Sequence, residues 1–423
     1  MTKDSDKRAA WWVDSRFGLF IHWGLYSVPA RHEWVQTYEE ITPEKYGKYQ
    51  EYFSPDKFDP TSWAKLAAAA GMKYFVFTAK HHDGFCLWDS QYTQYKAKKD
   101  YLREIVDAFR AEGLRAGIYY SLIDWNHPDF IIDVNHPLRN SPDREKLNAN
   151  RNQQNYALYM RNQVRELLSN YGKIDVIWLD YSYPREDGQG KGRNDWESEK
   201  LHALVRELQP DILINDRMDL PEAGDFRSPE QYVPVNGIRD DENNLILWEG
   251  CQTFSGSWGY NRDELTWKSE RQLISMLIKH VSRAGNFLLN IGPDARGRID
   301  QRAAKLMQKI AAWMDEHAEA IYGCTIAPEN MPEPEFCRYT YNPKTKRLYL
   351  HVFDWPARYL HLEKMAGKVK FARLLNDRSE IKMQEPVQHH GNMTAKTSKS
   401  TLTLLMPAVK PAAEIPVIEL FLE

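Results

Sequence analysis

Between Phe17 and Ile291 short apolar blocks alternate with helix-spaced stretches, and nearly every block delivers a polar or aromatic residue at its end. The clearest is Lys173-Ile-Asp-Val-Ile-Trp-Leu-Asp-Tyr181, whose Val176 to Leu179 core follows the amphipathic stretch Asn148 to Tyr171 and leads into Asp180. A block apolar on both faces fits a strand sealed between layers, as in parallel sheets covered by helices. Repetition of this order restricts the chain to α/β architectures.

The other strand-like blocks are Phe17 to Ile21, ending in His22-Trp23; Tyr74 to Thr78, running into His81-His82-Asp83; Arg115 to Tyr120; Ile212 to Ile214, ending in Asn215-Asp216-Arg217; Leu245 to Trp248, ending in Glu249; and Asn286 to Ile291. With the Asp180 strand these make seven, and an eighth fits between Phe226 and Val233. Helical spacing covers Ser62 to Ala70, stopped by Gly71, then Leu102 to Glu112, Trp196 to Leu208 and Ser269 to Arg283. The count predicts a (β/α)8 TIM-like barrel, with a doubly wound sheet as the alternative.

From about Met331 the texture changes. Arg347 to Phe353 alternates in period two after the turn-like Asn342-Pro-Lys-Thr, and Ser400 to Leu405 and Val417 to Leu422 are also strand-like. The predicted division is a barrel over residues 1–330 and an antiparallel β-sandwich over 331–423. The polar stretch Gln388 to Ser400 reads as an exposed loop.

A net charge of −3 and a pI near 6.5 leave no basic footprint, which argues against nucleic acid or an anionic membrane as partner. No run of about 18 apolar residues occurs, and the charged start carries no apolar signal region, so the sequence predicts a cytoplasmic protein. Four scattered cysteines, Cys86, Cys251, Cys324 and Cys337, form no zinc-knuckle or disulfide pattern. Aromatic residues reach 13%, and many flank polar motif residues, where flat faces suit the C–H faces of sugars.

A lone strand-end Asp or His serves equally well as a turn cap or a satisfied structural group. The run of them over successive strand ends predicts a site at the barrel's C-terminal mouth. Three histidines raise the question of a metal. His81 and His82, adjacent on a regular strand, point to opposite faces, so neither a zinc set nor any other cofactor is expected. Hydrogen bonding to sugar hydroxyls needs no such convergence, and Trp23 and Trp34 offer apolar surface.

Together the motifs Phe17-Gly-Leu-Phe-Ile-His-Trp-Gly24, Lys80-His-His-Asp-Gly-Phe85, Tyr119-Tyr-Ser121, Trp178-Leu-Asp180, Asn215-Asp-Arg217, Asp225-Phe-Arg-Ser-Pro-Glu230, Trp248-Glu249, Ser257-Trp-Gly-Tyr260 and Asn286-Phe-Leu-Leu-Asn-Ile-Gly-Pro293 resemble those of the α-L-fucosidases of glycoside hydrolase family 29. The resemblance spans roughly Trp11 to Cys324. It implies a retaining exo-glycosidase that releases terminal L-fucose from a fucosylated oligosaccharide or glycoside, with Asp180 as nucleophile. His22, Glu33, His81, His82, Tyr120 and Arg217 match positions that hold the fucose hydroxyls or orient the nucleophile, with Tyr120 preferred over Tyr119. Trp258 matches the region beside the sugar's methyl group, and Trp34 is a further binding residue.

For the acid/base the resemblance points to Glu230, with Glu249 as rival and otherwise a binding residue, and Glu222 third. The residue types fit this chemistry on their own terms, since double displacement needs one ionised and one protonated carboxyl. Two other readings remain at this level: a metal-dependent barrel hydrolase using the histidines, and a sugar-binding relative without catalysis. The sequence leaves the oligomeric state open.

Overall fold

The computed structural model describes residues 3–384 and 398–423; most of the predicted Gln388 to Ser400 loop, residues 388–397, lies outside them. Seven parallel strands form one curled sheet: β1 (Phe17–Ile21), β2 (Tyr74–Lys80), β3 (Arg115–Ser121), β4 (Val176–Asp180), β5 (Leu213–Ile214), β6 (Glu249–Thr253) and β7 (Asn286–Ile291). Their order is β5-β4-β3-β2-β1-β7-β6, so β1 joins β7 and the curl is nearly complete. All but the first residue of β3 are buried, as the two-sided apolar pattern requires.

The gap between β5 and β6 is filled by the segment Phe226 to Glu230. It makes parallel bridges to Asn215 beyond β5 on one side and to Trp248 and Cys251 on the other, which closes the barrel. No helix connects β5 to this segment or the segment to β6, so an eight-membered barrel carries an incomplete outer ring. In place of a helix, Asp225 clamps the segment. Its carboxylate accepts from the Ile214 backbone N–H (2.9 Å), from Arg206 (2.5 Å) and from Arg8 (2.6 Å).

The helices begin where side chains satisfy their first free N–H groups: Asp59 before Pro60–Ala69, Asp100 before Tyr101–Ala111, Asn152 before Gln153–Asn170, and a Ser269/Gln272 capping box at Glu270–Val281. Gly71 ends the first of these at φ +86°, where a Cβ would lie 2.8 Å from the Tyr322 hydroxyl. The helical stretch expected from Trp196 is broken at Glu197 by a left-handed residue, leaving Ser198–Leu208. Two long helices escape the sequence reading, Lys3–Ser15 and Gln301–His317.

One strand is displaced from its expected position. Leu245 to Trp248 reads as β6, yet the strand is Glu249–Thr253, so Glu249 opens it instead of ending it. A strand-opening residue lies at the closed end of the barrel, and side chains that alternate inward from it, Glu249 and Cys251, stack in layers towards the mouth.

Beyond the barrel, two antiparallel sheets face each other across their own core of Leu348, Leu350, Leu402, Leu404, Ile418 and Leu420. Among the described residues one has four strands, Cys337–Asn342, Arg347–Val352, Val369–Leu374 and Val417–Leu422, and the other three, Tyr359–Leu362, Met383–Gln384 and Leu402–Leu405. Tyr349, Leu375, Ile415 and Val417 turn the other way, into the barrel's apolar cluster.

The clamp at Asp225 sets a stability test. Asp225→Ala is expected to lower unfolding free energy by about 3 kcal/mol in urea titrations, the low end for breaking a buried ion pair, because Arg8 and Arg206 keep contact with water. A midpoint unchanged from the parent would show that the segment is held by its strand bridges alone.

Candidate active site

Asp180 is the last residue of β4 and pairs in register with Ser121 of β3. Alternation then places Trp178 and its neighbour Tyr119 on the same inward face, and the Tyr119 hydroxyl donates to Asp180 Oδ2 at 2.7 Å. Tyr120 points outward instead, donating to Gln163 of the surrounding helix at 2.8 Å with the Lys80 ammonium 4.3 Å from its ring centre. The expected Tyr120 therefore gives way to Tyr119. Two adjacent strand residues cannot share a face.

Arg217 lies past the end of β5 and is aimed by Ser228, which accepts from Nε at 3.1 Å and, through its carbonyl, from Nη2 at 2.9 Å. Nη1 then donates to Asp180 Oδ1 at 2.9 Å and to Glu230 Oε2 at 2.8 Å. One nitrogen thus touches both carboxylates, and the sum of those contacts caps the separation of the two oxygens at 5.7 Å. Burial alone would raise the Asp180 carboxyl, but the Arg217 charge, with His82 and the hydrogen bonds from Tyr119 and Arg217, outweighs it and holds the group below its usual range.

β2 ends at Lys80, so the alternation expected to separate His81 from His82 stops before it reaches them. Their rings lie 4.0 Å apart, and with His22 they line one pocket. Ser121 Oγ donates to the Ile123 carbonyl, so it accepts from His82 Nδ1 (2.7 Å). Asn290 is oriented by donating its amide to the Trp258 carbonyl, so its Oδ1 accepts from His22 Nδ1 (2.6 Å). Both imidazoles are thereby fixed with Nε2 as an acceptor. Burial pushes His22 down to about 4 and His82 to about 3, so both are neutral in the working range. The buried Nδ1 of His81 has no hydrogen-bond partner among the described residues. Among the described residues no group of three or more His, Cys, Asp or Glu is placed to hold a metal ion.

The pocket is completed by Phe20, Trp34, Trp178, Tyr181, Cys251 and Trp258. Tyr181 follows Asp180 at φ +84°, unusual for a non-glycine residue, and this turn brings its ring to 5.2 Å from Trp34 and 5.1 Å from His82. Trp258 stands 5.2 Å from His22 on a loop that passes so close to Gly292 that a Cβ there would lie 2.6 Å from the Trp258 carbonyl. Glu33 does not line this pocket. It accepts from the Gly259 N–H at 2.8 Å and so fixes the same loop, while burial pushes its carboxyl up to about 7. Glu222 lies outside as well, on a cavity at the Asp225 clamp.

Glu249 is not at the mouth. Fully buried, it accepts from the indole N–H groups of Trp178 (3.0 Å) and Trp12 (3.3 Å) and from the Tyr74 hydroxyl. It therefore sits one layer below the pocket, behind Trp178, whose ring carries Arg217 on its face at 4.6 Å. This removes it both as an acid candidate and as a group touching substrate. Sequence reasoning chose the wrong member of the Tyr119-Tyr120 pair and missed Tyr181, Trp178 and Asn290; the inward alternation set by Asp180 would have marked Trp178.

A pocket with two close carboxylates and neutral imidazoles at a barrel mouth defines the class of glycoside hydrolases that work through a carboxylate pair. The chain belongs to the α-L-fucosidase family, whose model matches residues 1–319. It is 42% identical to α-L-fucosidase isoenzyme 1 from Paenibacillus thiaminolyticus, with a TM-score of 0.92 and full coverage of both chains. Human plasma α-L-fucosidase is 30% identical over 390 residues, covering 84% of this chain and 78% of that protein. A Bacteroides thetaiotaomicron family 29 α-L-fucosidase, solved as a trapped covalent intermediate with 2-fluoro-fucosyl fluoride, is 26% identical with a TM-score of 0.83, covering 100% and 97% of the two chains.

The place of Glu249 can be tested directly. Glu249→Ala should lower unfolding free energy by about 3 kcal/mol or more, since two indole N–H groups and a hydroxyl lose their acceptor. Any rate loss in that variant should be the same factor for good and poor leaving groups. A loss that grows with leaving-group basicity would place Glu249 at the reacting bond and overturn this assignment.

Proposed function

We propose that the protein is a retaining, exo-acting α-L-fucosidase in which Asp180 is the nucleophile and Glu230 the acid/base, acting on fucosylated oligosaccharides or glycosides. The observation that carries the role assignment is the shared Arg217 nitrogen. One oxygen of each group no more than 5.7 Å from the other suits double displacement, where the carboxyl groups stand about 5–5.5 Å apart. Glu230 also lines both the pocket and the groove outside it, whereas Asp180 lines only the pocket. A glycosidic oxygen at that threshold meets Glu230 while the anomeric carbon meets Asp180.

In the first step Asp180 attacks the anomeric carbon as the bond to the leaving oxygen breaks, and Glu230 supplies the proton that oxygen takes. Esterification consumes the Asp180 charge, so Arg217 is then free to stabilise the Glu230 carboxylate. That anion removes a proton from water, whose oxygen attacks the anomeric carbon as the ester bond to Asp180 breaks, restoring the Asp180 carboxylate and releasing the sugar with its original configuration. Throughout, His22 and His82 accept from sugar hydroxyls through Nε2, and the Trp258 ring supplies the apolar wall.

Among the described residues no helix is long and apolar enough to cross a membrane. We place the protein in a reducing compartment, the cytoplasm, because its four cysteines are all buried and unpaired. The division near residue 330 is likewise our reading of where barrel gives way to sandwich.

Asp180→Ala should fold and lose at least a thousandfold in kcat on an aryl α-L-fucoside, with external azide restoring part of the rate and giving the inverted azide product. Retention of more than about a tenth of the parent rate excludes Asp180 as nucleophile. Glu230→Ala should lose far more on poor leaving groups than on good ones, read as a steepened dependence of kcat/KM on leaving-group pKa. An unchanged slope removes Glu230 from the acid role.

A further inference from the structure

Tyr181, the pocket residue that follows Asp180, opens a hairpin whose stem closes where Tyr183 and Lys191 exchange backbone hydrogen bonds of 2.8 and 3.2 Å. Its tip, residues 184–189, is exposed, so the hairpin is held at its stem. What meets the stem is an ion pair. Lys191 Nζ donates to Asp133 Oδ2 at 2.7 Å and to the Ile131 carbonyl at 2.8 Å, 4.5 Å from the centre of the Phe130 ring, and both charged side chains are 3% exposed. The Tyr183 hydroxyl donates to the same Oδ2, and Oδ1 accepts from the Asn135 N–H at 2.9 Å. Asp133 belongs to the long excursion between β3 and the helix Gln153–Asn170, which also grips the loop that carries Trp34. There the Asn135 carbonyl accepts from Thr37 Oγ1 at 2.6 Å, and Arg139 Nη1 donates to the Thr37 carbonyl at 2.8 Å. One excursion thus holds the two loops whose rings, Trp34 and Tyr181, meet 5.2 Å apart at the pocket.

We propose that Asp133 and Lys191, acting through Tyr183, are positioning residues that hold the Tyr181 ring against Trp34 and His82 at the wall of the pocket. Neither charged residue lines the pocket itself. A buried ion pair is a poor source of stability, because the cost of desolvating both ions offsets their attraction, and uncharged side chains of similar volume often serve folding as well. What this pair supplies is direction. Its carboxylate faces Lys191, Tyr183 and the Asn135 N–H at once, while the ammonium also reaches the Ile131 carbonyl, and these directed bonds leave the stem one place to sit. Tyr181 inherits that place, two residues from the anchored Tyr183 and with the two ring centres 5.1 Å apart. Ser182, between them, donates its hydroxyl to the Arg217 carbonyl at 2.8 Å, so the anchored segment runs past both the pocket wall and the arginine.

The doubly substituted Asp133→Asn/Lys191→Met protein loses both charges at nearly constant shape and leaves no buried ion alone, so it should fold with a urea midpoint close to the parent's. On an aryl α-L-fucoside, a substrate chosen on the α-L-fucosidase reading, its KM should rise about five- to tenfold while kcat changes less than about threefold, because the Tyr181 ring shapes the wall and makes no bond. In a Tyr181→Ala background the same two substitutions should alter kcat/KM less than about twofold, since the ring through which the anchor acts is gone. An unchanged KM, or losses that multiply independently of Tyr181, overturn the proposal. Tyr183→Phe keeps the ion pair and covers the case in which the neutral pair does not fold. It should raise KM about two- to threefold, again only while Tyr181 is present, and a KM equal to the parent's overturns the proposal. Crystal structures give a readout apart from turnover: without the charges, or in Tyr183→Phe if they cannot be removed, the Tyr181 ring should shift from its 5.2 Å contact with Trp34, and a ring still in the parent position overturns the proposal. A parent protein inactive on the fucoside removes the α-L-fucosidase reading instead, and the ring position then decides the anchor by itself.

Discussion

One guanidinium group organises the catalytic end of this molecule. Arg217 faces two carboxylates through a single nitrogen, and without it Asp180 and Glu230 would be like charges at close range in a largely buried site. Its remaining nitrogens are spent on Ser228 and its face on Trp178, so the position of the charge is set by structure on three sides. In the proposed mechanism that fixation lets the same residue serve Asp180 before the covalent step and Glu230 after it, with no rearrangement of charge beyond the proton itself.

The partners of Arg217 come from the part of the barrel that departs most from regularity. β5 has two residues, the segment that carries Ser228 and Glu230 makes only isolated bridges, and no helix covers either connection. The Asp225 clamp replaces the missing helix with charge-assisted hydrogen bonds to Arg8 and Arg206. The gain is access: the irregular segment leaves Glu230 at the junction of pocket and groove, where a strand sealed under a helix would bury it. Stability at this edge and openness at the leaving-group side are therefore linked.

Beneath the pocket, side chains alternate in layers. Glu249, Tyr74 and Trp12 form the lower polar layer, and Trp178 connects it to the floor on which Arg217 rests. Burial pushes the Glu249 carboxyl up to about 7, but its three donors supply the hydrogen bonds a buried acidic group requires. A carboxyl next to a catalytic-looking motif can thus serve packing, and its depth within the barrel, not its residue type, decides which.

The sequence by itself determined the α/β alternation, the change to antiparallel strands, the placement of Asp180 at a strand's mouth and the likeness to a family, because apolar periodicity and residue order are local properties of the chain. It also marked the closing segment near Phe226 and the pocket residues His22, His81, His82, Arg217 and Trp258. Only the tertiary structure decided between Tyr119 and Tyr120, because the inward face of β3 is set by its register with Asp180 on another strand. The same holds for Glu249. Its polar strand, Glu-Gly-Cys-Gln-Thr, carries no apolar signature, and the run before it, with Leu245 40% exposed, mimics one. Hydrogen bonds across the barrel from Trp12, Tyr74 and Trp178 are what make a buried glutamate acceptable there, and contacts between residues so far apart in the chain leave no trace in local sequence.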